Sequence, residues 1–125
     1  MDDVRILIID DDDDFRQMLV KRLNTANMNT QGIKDTASAL KSLKQKEFDV
    51  IILEDLELLK QIKADTPGTQ VIILTRQTSV DFGIAAMKLG AFDCVIKPAI
   101  MNELLDKIRQ ACENSRIRKD PAVFD

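Results

Sequence analysis

The apolar positions of this chain change period repeatedly between Val4 and Cys112, and each change marks a switch between strand and helix. Arg5-Ile6-Leu7-Ile8-Ile9 is a continuous, mostly β-branched run stopped by aspartates, the pattern of a strand buried on both faces. Phe15, Met18, Leu19, Leu23 and Ala26 then recur at helical spacing over residues 13–26. Residues 30–34 form a weaker second strand, placed there because an element must precede the next helix. That helix takes Thr36 as its N-cap and carries Ala37, Leu40 and Leu43 on one face. Val50-Ile51-Ile52-Leu53 is a third strand, and Leu56, Leu59 and Ile62 mark a short helix that ends before Pro67-Gly68. A fourth strand covers residues 70–75. Ser79 caps a helix running to Leu89, with Gly90 as its stop. Residues 92–96 give a fifth strand, and a last helix from Asn102 to Cys112 or beyond turns Leu104, Leu105, Ile108 and Ala111 inward.

Five strands alternating with five helices predict an α/β fold: a parallel sheet covered on both faces, doubly wound by right-handed crossovers. At this size the flavodoxin-like strand order 2-1-3-4-5 is the expected solution. The chain has 125 residues, enough for one domain; residues 1–115 are assigned to it and 116–125 to a polar tail or the start of a linker.

Composition narrows the chemistry. With no histidine, Ser-His-Asp and Cys-His catalysis, a histidine phosphodonor and a Cys-His zinc site are all excluded. Gly32, Gly68, Gly83 and Gly90 form no nucleotide-cradling loop, so neither a nucleotide nor a flavin is expected. A net charge of −3 gives no basic excess for nucleic acid. The longest apolar runs are too short for a membrane span, and Met1-Asp2-Asp3-Val4-Arg5 does not begin a signal peptide. Cys94 and Cys112 make no disulfide framework, so a reducing, cytoplasmic setting is expected.

Ligands of such sheets bind beyond the carboxyl ends of the strands, near the switch between the first and third. Here those ends carry Asp10 to Asp14, Glu54-Asp55, Thr75 and Lys97-Pro98, a set that should converge on one pocket. Crowded carboxylate oxygens suit Mg²⁺. An Asp run also does simpler work, as a solvated helix N-terminus.

These residues resemble a bacterial response-regulator receiver domain. Ile6-Leu7-Ile8-Ile9-Asp10-Asp11-Asp12, with Phe15, Arg16 and Leu19, is similar to the start of that family, and residues 48–53 to the strand before its phosphoacceptor. Val71 to Thr75 resembles its fourth strand. Gly90-Ala91-Phe92-Asp93, followed by Lys97-Pro98, resembles the receivers of enhancer-binding transcription activators. The resemblance implies that Asp10 and Asp11 are the acidic Mg²⁺ pair. It makes Thr75 the hydroxyl that follows the phosphoryl group and Lys97 its cationic partner, with a cis bond before Pro98. It also implies signalling by phosphotransfer from a sensor histidine kinase.

Several positions depart from that pattern. The phosphoacceptor position is Glu54, with Asp55 as the neighbouring acid, and one extra methylene moves the carboxylate by about 1.5 Å. The loop after this strand is about seven residues shorter than the family's, which weakens Mg²⁺ binding and predicts unwinding around residues 53–58. Arg76 replaces a small residue after the threonine; it reads first as a solvated loop residue, the sharper alternative being a guanidinium that pairs with Glu54 or the Asp run. Cys94 stands at the switch-aromatic position and cannot sweep an aromatic's area.

The fourth helix is apolar around most of its circumference, with Val80, Phe82, Ile84, Ala85 and Met87. Phe82 and Ala85, with Lys88, are therefore expected at an interface made by the fourth helix, fifth strand and fifth helix. That surface suits an output domain, a partner protein or a homodimer. The favoured expectation is a degenerate receiver that acts by protein–protein interaction and is not an enzyme. Its alternative is a receiver phosphorylated on Glu54 or a neighbouring Asp. A reading from another class is a small phosphatase using Asp10-x-Asp12; a flavodoxin-like FMN site is disfavoured because five aspartates repel a phosphate.

Overall fold

The structure is a computed structural model that describes residues 4–119, with side chains to residue 115. Its elements are β1 (Arg5–Ile9), α1 (Asp13–Thr25), β2 (Asn29–Ile33), α2 (Thr36–Gln45), β3 (Val50–Leu53), α3 (Leu56–Asp65), β4 (Gln70–Thr75), α4 (Val80–Lys88), β5 (Asp93–Ile96) and α5 (Met101–Lys119). The five strands are parallel in the order β2-β1-β3-β4-β5, as the alternation of periods predicts. The end of the chain, residues 120–125 of the expected tail, lies outside the described residues.

Strand alternation divides the core in two. Ile6 and Ile8 of β1, Val50 and Ile52 of β3, and Ile72 and Leu74 of β4 face α1 and α5, packing on Leu19, Leu23, Leu104 and Ile108. Leu7, Ile51, Leu53, Val71 and Ile73 face the other way, onto Ala39, Leu58, Leu59, Ile62 and Ala86 of α2, α3 and α4. Because β1, β3 and β4 are covered on both faces, they read as unbroken apolar runs.

β2 is the element that propensity marks least. Its place comes from the tertiary structure: the Asn24 side-chain carbonyl accepts from the Thr30 N–H at 2.8 Å, and its amide donates to the Thr30 carbonyl at 3.2 Å. At Gly32 a Cβ would come within 2.9 Å of Val20 Cγ2, so only glycine lets α1 lie this close to β2.

Four local expectations are corrected. Asp35, not Thr36, is the N-cap of α2, its carboxylate accepting from the Ser38 N–H at 2.8 Å. The inward residues of α2 are Ala39, Leu40 and Leu43, while Ala37 is exposed. Met18 is 40% exposed and lies off the buried stripe of α1. No unwinding occurs around residues 53–58: two residues, Glu54 and Asp55, make the whole turn between β3 and α3. Asp55 permits this by capping α3, its Oδ1 accepting from the N–H groups of Glu57 at 2.9 Å and Leu58 at 3.2 Å.

Candidate functional site

The carboxyl ends of β1, β3, β4 and β5 open onto a cleft of about 740 Å³ lined by Asp10, Asp11, Glu54, Asp55, Arg76, Phe82 and Lys97, among others. Strand order alone brings them together, since β1, β3, β4 and β5 are successive neighbours. β3 and α3 are joined by a two-residue turn, and Leu53, Leu56 and Leu74 also line the cleft.

Asp10 sits at the centre. Its Oδ2 accepts from Lys97 Nζ at 2.7 Å, and both side chains are largely buried, at 8% and 14% exposure. Its Oδ1 accepts from the Asp12 N–H at 2.9 Å, and its backbone carbonyl accepts from the Arg16 guanidinium at 2.7 Å. Lys97 donates its own N–H to the Thr75 carbonyl at 2.7 Å, and its bond to Pro98 is cis. Its ammonium lies 4.6 Å from the centroid of the Phe15 ring. The other aspartates divide the work: Asp12 is the N-cap of α1, accepting from the Phe15 N–H at 3.1 Å, and Asp13 pairs with Arg16. The hydrogen bond from Arg16 holds the Asp13 carboxyl below its ordinary range. Asp11 is exposed at the cleft wall.

Glu54 reaches across to β4. Its Oε2 accepts from the Thr75 hydroxyl at 2.5 Å and from the Arg76 N–H at 3.3 Å. The Thr75 oxygen in turn accepts from the Gln77 N–H at 2.9 Å. Thr75 is fully buried, so the glutamate holds the threonine inward. Arg76 is largely solvated, at 75% side-chain exposure; its guanidinium lies 3.5 Å from Asp12 of the Asp run, while only its backbone reaches Glu54. Sequence reasoning did not find Arg16 or Asp12 as organisers of the pocket. Their one signal was position, within a turn of the strand end.

Mg²⁺ takes near-octahedral oxygen ligands at about 2.0–2.1 Å. Among the described residues no group of three or more Asp, Glu, Cys or His side chains is placed to hold a metal. Asp10 is committed to Lys97, Asp12 and Asp55 to helix caps, and Glu54 to Thr75. Asp11, the other acid of the expected pair, is exposed at the cleft and would be the carboxylate open to the ion.

The predicted interface divides. Phe82 is partly buried, packing on the core beside the cleft, and Ala85 is partly buried as well. The exposed apolar face of α4 is instead Val80, Ile84 and Met87, at 75%, 47% and 49% exposure, and Ile96 and Ile100 are exposed near it in sequence at β5 and before α5. Lys88 and Cys94 do line this face, with Asp93, whose carboxylate is paired with Lys107. Burial, and secondarily Asp93, pushes the Cys94 thiol above its usual pKa. Among the described residues no helix is long and apolar enough to cross a membrane.

The family model for the response regulator receiver domain matches residues 6–109. The chain is 29% identical over 127 residues to the transcriptional regulatory protein ZraR of Klebsiella oxytoca, covering 96% of this chain and 29% of that protein. It is 30% identical over 123 residues to the DNA-binding transcriptional regulator NtrC of Proteus hauseri, covering 93% and 26%. It thus spans little more than a quarter of the curated relatives it matches. The solved beryllofluoride-activated NtrC4 receiver domain dimer is 28% identical, with a TM-score of 0.83 over 89% of this chain and 98% of that one. With its sheet order, its cleft and a family match over most of its length, the chain belongs to the response regulator receiver domains, the regulatory modules of two-component signalling.

Proposed function

We propose that this receiver is degenerate: it holds one conformation without a phosphoryl group and signals through protein–protein contact. The observation that carries this is the hydrogen bond from Thr75 to Glu54. The hydroxyl that would follow an incoming phosphoryl group is already drawn to a carboxylate, and the lysine that would pair with that group is bound to Asp10. A glutamate one methylene longer than aspartate thus supplies, from the chain itself, the negative oxygen that organises β4. Misplacement of the nucleophile by that distance disfavours transfer by about a hundredfold.

On this reading Asp10, Asp11, Glu54, Thr75 and Lys97 stabilise a conformation, and the chain is not an enzyme. Asp12, the second acid of the phosphatase reading, is spent as a helix cap. The output is a partner protein, an output domain following the 116–125 segment, or a second copy, engaged through α4, β5 and α5 in a cytoplasmic setting. The likeness to a dimeric NtrC4 receiver supports the last of these, as does the exposed Val80, Ile84 and Met87 face. A sensor histidine kinase remains a partner by contact.

The deciding experiment is incubation with Mg²⁺ and acetyl phosphate followed by intact mass. The expected spectrum has no stable adduct of about 80 Da, the mass of one phosphoryl group. A stoichiometric adduct mapping to Glu54 or a neighbouring Asp would establish the phosphorylated alternative.

A further inference from the structure

Gly32 is required by the approach of α1 and Gly90 by its φ of 101°, but nothing inside this chain requires a glycine at position 83. A Cβ there would meet no atom within 4 Å, and a glycine inside a helix weakens it relative to alanine. Gly83 lies on the face of α4 that carries the exposed Val80, Ile84 and Met87, so it cuts a notch in an apolar stripe. Beside that stripe, Asp81 and Lys88 are two turns apart along one edge of the helix. Both are exposed, and neither makes an ion pair among the described residues. Asp93, which lines the same groove as Lys88, is already held by Lys107.

We propose that a second copy of this chain docks here, its α4 antiparallel to this α4 about a two-fold axis beside Ile84 and Ala85. The face is self-complementary under that rotation, as a symmetric contact between identical chains demands. The axis exchanges positions 81 and 88, so each Lys88 comes beside the partner's Asp81, twice in the pair. It also brings each Met87 over the partner's Gly83, where the lack of a Cβ leaves room for a flexible thioether. Ile84 packs on the partner's Ile84 at the centre. A parallel pairing would instead set Asp81 against Asp81 and Lys88 against Lys88, and would align the two helix dipoles. Charge therefore selects the antiparallel arrangement. This inference rests on the reading above that α4 engages a partner, and adds which partner and in what orientation.

The test is sedimentation of the full chain between about 10 μM and 1 mM, at low and constant ionic strength, with folding checked by circular dichroism. The samples are the wild type, Asp81→Lys, Lys88→Asp, an equimolar mixture of those two variants, and Gly83→Ala. The wild type should self-associate reversibly. Each charge variant alone should associate about tenfold more weakly, because both cross-axis pairs become repulsive. Their mixture should recover the wild-type strength, since one chain then carries two positive groups on this edge and the other two negative. Gly83→Ala should keep or slightly raise the melting temperature yet weaken association, a combination that loss of folding does not produce. A wild type monomeric throughout, charge variants that associate like the wild type, or a mixture no stronger than its components would overturn the proposal. So would Gly83→Ala associating as tightly as the wild type. If the charge variants had no effect while Ile84→Ser still weakened association, this orientation would fall and the α4 reading would stand. The acetyl phosphate result is independent of both.

Discussion

Glu54 and Thr75, 21 residues apart, are joined by a 2.5 Å hydrogen bond from the threonine hydroxyl to the carboxylate, across the ends of β3 and β4. The same hydroxyl accepts from the Gln77 N–H, so it fixes the start of the β4–α4 loop as well as the glutamate. Thr75→Val keeps the shape but removes both interactions in a fully buried position. It should cost about 1–3 kcal/mol in urea unfolding, while Thr75→Ser, which keeps the hydroxyl, should cost clearly less.

Lys97→Met leaves the largely buried Asp10 carboxylate without its cation. The expected loss is about 3 kcal/mol, the cost of an uncompensated buried charge. Asp10→Asn combined with Lys97→Met should recover part of it, because the charge itself is then gone. A double variant no more stable than Lys97→Met would show that the pair acts through packing on Phe15 instead.

Phe82 and Ile84 should behave oppositely. Phe82 packs against the core at the cleft, so Phe82→Ala should destabilise by about 1–2 kcal/mol without changing self-association. Ile84→Ser and Met87→Ser, on the exposed face, should leave the melting temperature nearly unchanged and weaken association measured by sedimentation.

Asp35 predicts an acid-side effect. The Ser38 N–H holds its carboxyl below the ordinary value of 3.8, so the unfolded chain takes up this proton at higher pH than the folded one. The stabilisation from this cap is complete above that value and is lost as pH falls through the lower folded one. Below about pH 4 the wild-type midpoint should fall faster than that of Asp35→Asn, whose cap does not titrate. The difference should be small, since the group is exposed, and smaller still in high salt.

Cys94 predicts a slow thiol. Burial raises its pKa, so the thiolate fraction at neutral pH is lower than for an ordinary cysteine. Alkylation by iodoacetamide, followed by mass, should accelerate only at higher pH than for a free thiol, and buried Cys112 should stay unmodified in the native state. Rapid labelling of Cys94 at pH 7 would contradict the half-buried placement.

The strongest strands and the pocket membership were legible because each rests on a local pattern. Val50–Leu53 and Gln70–Thr75 are runs that only a doubly covered strand explains, and the polar residues directly after them have nowhere to go but the strand ends. Weaker features were legible only in outline. β2 was expected one residue late, at 30–34, with little pattern of its own, and it is placed by Asn24 reaching Thr30; the inward face of α2 depends on which side of the helix meets the sheet. The sequence showed too little turn between β3 and α3, yet Asp55 makes two residues sufficient by supplying an acceptor to two helix N–H groups.

By itself the sequence determined the layers, the strand order and the identity of the charged groups at one end of the sheet, because burial periodicity and crossover handedness act on every residue and leave few arrangements. Tertiary structure decided which charge meets which: Lys97 goes to Asp10 and not to Glu54, Thr75 to Glu54, and Arg76 to Asp12. Those choices turn on a few ångströms at the ends of four strands, where strand register and side-chain length settle the partner and residue type alone does not.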